Sequence, residues 1–271
     1  HRLAPVAGAQ AAREARLILG HVTGWSAARV STAGDTPLAP GHRARCEALL
    51  DRRRAHEPLA QILGAWPFRG RSFRVTRDTL VPRPDTETLV DLALAAPFDR
   101  VLDLGTGSGV IAVTLLAERS GARGVGTDIS AAALQVATAN AAACGVADRI
   151  ETRHCDWWQG VTGQFDLVVA NPPYVSAADY AGLAPEITEW EPRAALTPGG
   201  DGLGAYRRIL SGLAAHLVPG GRCLVEIGAG QAAAVTALFK AAGLDAITVH
   251  PDVNGQSRVV SAAMPTRHDA G

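Results

Sequence analysis

Short apolar segments alternate with longer helical patterns from residue 100 onward, and this alternation is the strongest constraint on the fold. The segments typical of strands are 101–104, 124–128, 150–154, 165–170, 222–227, 246–250 and 258–262. Helical patterns separate most of them, at 110–118, 131–143, 203–217 and 231–242. Such alternation predicts the α/β class, with a doubly wound, mostly parallel, seven-stranded sheet.

The last two strand segments have no helix between them. Residues 251–255, with the sequence Pro-Asp-Val-Asn-Gly, leave room only for a hairpin-like connection. Parallel neighbours need a long crossover, whereas antiparallel strands can be joined by a short turn. The sequence therefore predicts an antiparallel strand at the end of an otherwise parallel sheet.

The chain before the alternating region predicts two further units. Residues 1–64 form a small helical domain, with helices over 7–21, 40–56 and 58–63, the last ended by Gly64. Residues 65–80 contain two short apolar segments around Arg-Gly-Arg, which predict a β-hairpin connector. Residues 81–271 then form the third unit, which holds the alternating pattern.

An extended segment, residues 80–87, leads into the third unit with the sequence Leu-Val-Pro-Arg-Pro-Asp-Thr-Glu. Its prolines disfavour helix, and Asp85 is predicted to cap a helix over 86–95. The segment is either a plain linker or one wall of a cleft. In the second case Arg83 and Glu87 face the site.

Charge is unevenly distributed although the net charge is zero. Residues 1–80 carry thirteen arginines against six acidic residues, a balance of +7, and residues 81–271 carry thirteen basic against twenty acidic residues, a balance of −7. This asymmetry hints that the N-terminal part meets an anionic partner. The alternative is compositional, because one lysine in an Arg-, Ala- and Gly-rich chain is typical of a GC-rich coding sequence.

The four cysteines, Cys46, Cys144, Cys155 and Cys223, are scattered and form no C-x-x-C motif. They predict neither a disulfide framework nor a metal site, and free thiols in the cytoplasm are expected. No apolar run approaches the ~18 residues that span a bilayer, so no membrane role is expected.

A glycine-rich loop, Asp103 to Gly109, joins the first strand of the alternating region to its first helix. Its glycines allow a tight turn and a close approach to a ligand. The spacing is G-x-G-x-G, and Val110 stands where the dinucleotide fingerprint needs a further glycine. A cofactor with a pyrophosphate is therefore less favoured.

Acidic and aromatic residues end the next two strands. Asp128 lies where a carboxylate can accept hydrogen bonds from both ribose hydroxyls. Asp156 and Trp157 can bind an adenine amino group and cover its ring. The alternatives are that Asp103 accepts loop N–H groups, Asp128 caps the following helix and Trp157 belongs to the core. Three such sites on successive strand ends favour an adenosyl ligand.

The fourth strand is followed directly by Asn171-Pro172-Pro173-Tyr174. The prolines lack N–H groups and stiffen the loop, so the loop offers carbonyl acceptors with an aromatic ring beside them. This combination suits a planar –NH2 group. The alternative is a proline-rich turn without chemistry.

Together these motifs resemble the class I S-adenosylmethionine-dependent methyltransferases, which have a Rossmann-like fold. Within that class, the chain is similar to the PrmC/HemK family, the protein-(glutamine-N5) methyltransferases of peptide-chain release factors. The segments that carry the resemblance are 14–19, 58–64, 81–87, 103–109, 156–157, 171–174, 191–196 and 226–228 with Gln231. Ala170 and Trp158 depart from residues common in the family, and neither belongs to a motif.

The resemblance implies a cofactor, a substrate and roles for the motif residues. The cofactor is S-adenosyl-L-methionine, and the substrate is the glutamine of a Gly-Gly-Gln loop in release factors. The residues implied to bind the cofactor are Gly105, Thr106, Gly107, Ser108, Gly109, Asp128, Ile129, Asp156, Trp157 and Asn171. Those implied in catalysis are Asn171, Pro172, Pro173 and Tyr174, with the Asn171 side chain and the Pro172 carbonyl on the substrate amide.

Two other functions stay open. An adenine-N6 methyltransferase acting on DNA or RNA can share the Asn-Pro-Pro-Tyr motif, although an aromatic and basic groove for single-stranded bases is not evident. A non-catalytic partner that binds the cofactor and docks on a release factor or RNA is the second. The expected enzyme is a cytoplasmic monomer without a stable nucleic-acid partner.

Overall fold

In the computed structural model, which describes residues 3–266, the chain begins with a group of helices. They are α1 (Ala4–Ala7), α2 (Ala11–Thr23), α3 (Ala27–Thr32), α4 (Pro40–Arg54) and α5 (Leu59–Leu63), with a 3-10 turn at Gly8–Gln10. The single helix expected over 7–21 is therefore interrupted. Gly8 ends α1, since its φ of +48° and ψ of −126° are not helical.

The N-terminal helices pack around a small core of their own, in which Leu3, Ile18 and Leu59 are buried. Arg53, only 3% exposed, donates to Glu14 at 2.8 Å and so ties α4 to α2. The same guanidinium pairs with Glu186, far along the chain, at 2.9 Å. A charge network around the buried Arg53 therefore joins the helical region to the rest of the molecule.

The expected hairpin is present, with β1 (Ala65–Phe68) antiparallel to β2 (Arg71–Arg74). Asn140, 1% exposed, accepts from the Arg74 N–H at 2.7 Å and donates to the Arg74 carbonyl at 3.1 Å. It also donates to the Ser108 carbonyl at 2.8 Å. One side chain thus satisfies both backbone groups of Arg74, as a neighbouring strand would, and fixes the hairpin to the glycine-rich loop.

The helix after the extended segment is α6 (Thr86–Leu94), close to its expected bounds. The capping role expected of Asp85 is wrong. Its backbone is helical, its side chain makes no capping bond, and its carboxylate pairs with Arg258 at 3.0 Å. A long-range ion pair has therefore replaced the local hydrogen bond that the sequence predicts.

Within residues 3–266 the large sheet has seven strands, as the sequence predicts. They are β3 (Arg100–Leu104), β4 (Arg123–Asp128), β5 (Ile150–His154), β6 (Phe165–Ala170), β7 (Leu217–Glu226), β8 (Asp245–Pro251) and β9 (Ser257–Ala263). Their order is β5-β4-β3-β6-β7-β9-β8, and the pairs from β5 to β7 are parallel. The order reverses between β3 and β6, where a ligand crevice is expected.

Strand β9 is the antiparallel strand, and it pairs antiparallel with both β7 and β8. It lies between them, one place in from the edge, so the expected position at the end of the sheet needs correction. The hairpin-like turn predicts that β8 and β9 are neighbours. It does not predict which of the two is the outer strand, because both choices use the same local turn.

The helices that follow α6 are α7 (Val110–Glu118), α8 (Ala131–Ala143), α9 (Ala177–Tyr180), α10 (Pro185–Thr188), α11 (Arg193–Leu196), α12 (Gly204–His216) and α13 (Ala232–Ala241). Helices α6, α7 and α8 share a core with one face of the sheet, and α12 and α13 share a second core with the other face. Alternate residues of β3 enter the two cores, with Val101 in the first and Leu102 and Leu104 in the second. The molecule is thus three-layered, as a doubly wound sheet requires.

The short helices α9, α10 and α11 lie in the long segment after β6 and are absent from the sequence prediction, as is α3. Each of the three spans about one turn, which is too short for a helical period of apolar residues to appear. In the part of the chain that the structure describes, no helix has the length and apolarity to cross a membrane.

Candidate active site

A cavity of about 470 Å³ opens at the carboxyl ends of β3, β4, β5 and β6. The wall includes many of the residues predicted for the site: Gly105, Thr106, Gly107, Ser108, Asp128, Ile129, Asp156, Trp157, Asn171 and Pro173. Three other predicted site residues, Gly109, Pro172 and Tyr174, do not line the cavity. Loops from four strands therefore meet around one space, at the edge where doubly wound sheets bind ligands.

The glycine-rich loop is held in shape by the neighbouring strand β4. Gly105 and Gly107 have φ values of +73° and +56°, a region that residues with a Cβ rarely adopt. The Gly107 N–H donates to Asp128 Oδ2 at 2.8 Å, and the Thr106 N–H donates to the Thr127 carbonyl at 2.8 Å. The loop is thus ordered by the protein itself.

Asp128 ends β4 and accepts hydrogen bonds on both sides. Besides Gly107, its carboxylate accepts the Ser130 N–H at 2.8 Å, while the Ser130 hydroxyl caps α8. Burial raises the pKa of Asp128, and the backbone donors partly offset this effect. Asp128 therefore organises the loops around it and also faces the cavity, so its structural contacts and a ligand role are compatible.

Asp103 is fully buried at the base of the glycine-rich loop. Its Oδ2 accepts from the Thr106 hydroxyl at 2.7 Å and the Ala112 N–H at 3.2 Å, whereas its Oδ1 is buried and has no hydrogen-bond partner within residues 3–266. Burial raises the pKa of Asp103 to about 6. An unsatisfied buried carboxylate oxygen is costly, so a donor from a ligand or a bridging water fits this position. Asp103 itself is not part of the cavity wall.

A flat apolar surface with a carboxylate beside it forms another part of the wall. Trp157 adopts a φ of +55° and packs partly against the second core. Asp156 forms an ion pair with Arg208, which also lines the cavity. Ile129 is 63% exposed at the rim. An aromatic ring with an exocyclic amino group fits such a surface.

Asn171 follows β6 directly and presents acceptor atoms. Its Nδ2 donates to the Thr86 hydroxyl at 3.2 Å. Nothing in the described part of the chain donates to Asn171 Oδ1 or to the Pro172 carbonyl. Because Pro172 and Pro173 carry no N–H, this loop can accept hydrogen bonds through its backbone carbonyls but cannot donate at these positions.

Tyr174 supports the Asn-Pro-Pro-Tyr loop from the core side. Its hydroxyl donates to Glu226 Oε1 at 3.5 Å, and its backbone carbonyl accepts from Gln231 Nε2 at 2.9 Å. Burial raises the pKa of Tyr174 to about 12, so the phenol stays protonated. The structure thus places the Tyr174 hydroxyl inward, against a buried carboxylate.

Arg83, which the sequence allows to face a cleft, lines the cavity, whereas Glu87 is not part of the described wall. The Arg83 Nη2 contacts both carboxylate oxygens of Glu191, at 2.8 and 2.9 Å. Wall residues that the sequence did not assign to the site include Thr79, Thr86, Cys155, Pro192, Ala194 and Arg208. Thr86, Pro192 and Ala194 belong to the motif segments that carried the family resemblance, which is the signal that could have found them.

The fold is that of class I methyltransferases. The hMettl16 catalytic domain, solved in complex with the MAT2A 3′UTR hairpin 6, matches with a TM-score of 0.60 and 16% identity, over 85% of this chain and 83% of that one. A methyltransferase from Pyrococcus furiosus matches with a TM-score of 0.57 and 15% identity, over 81% of this chain and 98% of that one. Identities this low show the fold alone.

Sequence comparison is more specific. The family models for the PrmC N-terminal domain and the methyltransferase small domain match residues 1–64 and 84–203. The release factor glutamine methyltransferase of Cereibacter sphaeroides is 55% identical over 97% of this chain and 95% of its own length. That of Rhodospirillum rubrum is 44% identical over 92% of this chain and 78% of its own length. The chain belongs to the release factor glutamine methyltransferase family, whose members use S-adenosylmethionine.

Proposed function

We propose that this chain transfers a methyl group from S-adenosylmethionine to the side-chain amide nitrogen, N5, of the glutamine in the Gly-Gly-Gln motif of peptide-chain release factors. The carrying observation is that no donor among the described residues reaches Asn171 Oδ1, at the cavity wall, or the carbonyl of Pro172, the next residue in the same loop. A primary amide has two N–H hydrogens in one plane, and two acceptors match them. Family membership supports the same reaction.

The cofactor is proposed to lie along the cavity wall. Its methionine part contacts the wall residues Gly105, Thr106, Gly107 and Ser108, with Gly109 and Asp103 behind them in the same loop. Asp128 holds the ribose, and Ile129, Asp156 and Trp157 contact the adenine. When bound, S-adenosylmethionine supplies an electrophilic methyl group on a sulfonium centre. A mostly apolar wall excludes water from that centre.

The loop after β6 is proposed to activate and aim the amide. An amide nitrogen is a poor nucleophile, because its lone pair is delocalised into the carbonyl. When Asn171 Oδ1 and the Pro172 carbonyl accept its hydrogens, electron density on the nitrogen rises and its orientation is fixed. Orientation in well-aligned reactions is worth up to roughly 7–11 kcal/mol, of which two hydrogen bonds can secure a part. The proton lost from nitrogen leaves to water after transfer.

Residues 1–64 are proposed to recognise the protein substrate away from the methylated glutamine. In the part of the chain that the structure describes, Arg13, Arg16 and Arg45 are exposed on α2 and α4 and have no acidic partner. Residues 65–80 connect this region to the methyltransferase unit, residues 81–271. We further propose a cytoplasmic monomer that forms no stable complex with nucleic acid.

Single-turnover transfer of labelled methyl tests the proposal. The substrates are a purified release factor, its Gly-Gly-Gln→Gly-Gly-Ala variant, and pools of DNA and RNA. We expect label on the wild-type factor alone. Label on nucleic acid would instead favour an adenine-N6 methyltransferase, and no label on any substrate would favour a non-catalytic partner.

Asn171→Ala is the informative enzyme variant. It should lower the single-turnover rate constant on the order of 100-fold, the usual loss when one oriented hydrogen-bonding group is removed from an active site. Asn254→Ala, in an exposed turn, is the matched control and should leave the rate unchanged. Equal rates for the two variants would contradict the role of Asn171.

A further inference from the structure

We propose that Thr86 and Glu226 are positioning residues, which fix the direction that the Asn171 amide faces. The inference rests on the proposed function of Asn171 as an acceptor for the substrate amide. It adds two residues that touch neither the reacting nitrogen nor the methyl group in that scheme. Glu226 orients the Thr86 hydroxyl, and Thr86 in turn orients the Asn171 amide.

The three side chains form a hydrogen-bonded chain. Glu226, at the carboxyl end of β7, is 1% exposed, and its Oε2 accepts from the Thr86 hydroxyl at 2.7 Å. Thr86 is the first residue of α6 and is 2% exposed. Asn171 Nδ2 then donates to the same Thr86 oxygen at 3.2 Å. The chain therefore runs from a buried carboxylate to the edge of the cavity.

Counting donors fixes the direction of this chain. An ionised carboxylate only accepts, so the single hydroxyl hydrogen of Thr86 goes to Glu226. The Thr86 oxygen is left with lone pairs alone, and these can face only a donor. Asn171 must therefore turn its Nδ2 toward Thr86, which leaves its Oδ1 for the cavity.

Without this chain, nothing in the described contacts separates the two orientations of the Asn171 amide. The oxygen and nitrogen ends of an asparagine are nearly the same in shape, and their hydrogen bonds decide which end faces which neighbour. In the reversed orientation an –NH2 group would face the –NH2 group of the substrate. Two donors would then meet, and the substrate would lose one of its two acceptors.

The donor count above requires Glu226 to be ionised, and the groups around Glu226 determine the pH at which it is. The Tyr174 hydroxyl faces Oε1 at 3.5 Å, and Arg258, Asp85 and the Thr86 hydroxyl also act on the carboxyl. Burial raises the pKa of Glu226 to about 7, so the carboxylate is ionised at pH 8.5. The experiment is therefore run at pH 8.5.

Thr86→Val and Thr86→Ser form the matched pair. Valine keeps the shape and removes the hydroxyl, whereas serine keeps the hydroxyl. With saturating cofactor and release factor, Thr86→Val should lower the single-turnover rate constant by about 10- to 100-fold. Valine leaves Asn171 Nδ2 without its acceptor, so about 90–99% of molecules turn that group toward the cavity instead. Thr86→Ser should stay within about 3-fold of the wild-type protein. The cofactor Kd, measured by calorimetry, should be unchanged for both variants.

A second variant tests whether Glu226 acts through Thr86. The amide of Glu226→Gln can either accept from or donate to the Thr86 hydroxyl. The preference for the Asn171 orientation with Nδ2 toward Thr86 therefore weakens, and the rate falls. Once Thr86→Val has removed the hydroxyl, adding Glu226→Gln should lower the rate no further. Independent, additive losses would overturn the proposal. If Thr86→Val does not fold, the loss of rate in Glu226→Gln at unchanged cofactor Kd carries the test.

Failure of the inference and failure of the proposed function give different results. If the wild-type protein methylates no release factor, the proposed function fails. If the wild-type protein is active and Thr86→Val is equally active, or Thr86→Ser is as slow as Thr86→Val, the positioning role fails. Nuclear Overhauser contacts between the Asn171 Nδ2 hydrogens and the Thr86 methyl report the orientation without any turnover.

Discussion

Substituting Gly109 with alanine should damage helix packing more than cofactor binding. Gly109 lies just before α7 with a φ of +78°. A Cβ added there would lie 3.1 Å from the Cβ of Ala137 and 3.2 Å from its Cα, and both atoms belong to the buried face of α8. Gly107 is the matched control, since it has a φ of +56° but open space where a Cβ would be.

The difference between the two substitutions can be estimated from these contacts. Both force a residue with a Cβ into the left-handed region, at about 1 kcal/mol. Only Gly109→Ala also overpacks the contact between α7 and α8, at about 1–3 kcal/mol. The free energy of unfolding should thus fall by about 2–4 kcal/mol for Gly109→Ala. At roughly 2–4 °C per kcal/mol, the Tm falls by roughly 4–16 °C, against roughly 2–4 °C for Gly107→Ala.

Circular dichroism during heating measures the Tm, and calorimetric titration with S-adenosylmethionine at a temperature where both variants are folded measures cofactor Kd. We expect the two variants to rank in opposite order in the two measurements. Gly107→Ala places a methyl group beside the cavity and should weaken cofactor binding more, while Gly109→Ala should unfold at the lower temperature. A lower Tm for Gly107→Ala than for Gly109→Ala would refute the reasoning.

Three other predictions concern charge. Asp128→Asn should weaken cofactor binding about 10-fold or more in calorimetry, because asparagine has one acceptor oxygen where the carboxylate has two. The pKa values of Asp103 and Glu226 are raised to about 6 and about 7, above their ordinary 3.8 and 4.5. As pH rises, the folded state therefore loses these protons at a higher pH than the unfolded state does. Their contribution to the free energy of unfolding therefore falls as pH rises from about 4 to 7. Denaturant titrations of Glu226→Gln should lack the Glu226 share of that decrease, about 3 kcal/mol. Finally, replacing Arg13 and Arg16 with glutamine should raise KM for release factor and leave cofactor Kd unchanged; equal loss of both would exclude substrate recognition by this surface.

Where structure follows from local pattern, the sequence predicts it well. The bounds of α7, α8, β5 and β6 agree with the expected 110–118, 131–143, 150–154 and 165–170, because apolar periodicity and turn residues act on neighbours in the chain. The strand-end positions of the cavity wall follow from the same alternation.

What the sequence could not predict depends on partners far along the chain. The pairing of Asp85 with Arg258, the inner position of β9 and the contact of Thr86 with Glu226 are set by tertiary packing. The packing role of Gly109 is likewise invisible in a G-x-G-x-G pattern, since the neighbour that crowds it lies on another helix. Short helices such as α9 carry too few residues to show a period.

The double grip of Asn140 on Arg74 makes the connector a stiff joint. Because the same side chain also holds the Ser108 carbonyl, the hairpin and the cavity rim share one fixed point, and motion there would break three hydrogen bonds at once. This joint limits how the N-terminal helices move relative to the cavity rim. Under the proposed function, a whole release factor contacts both the helices and the cavity, whereas a short peptide that carries the glutamine contacts the cavity alone.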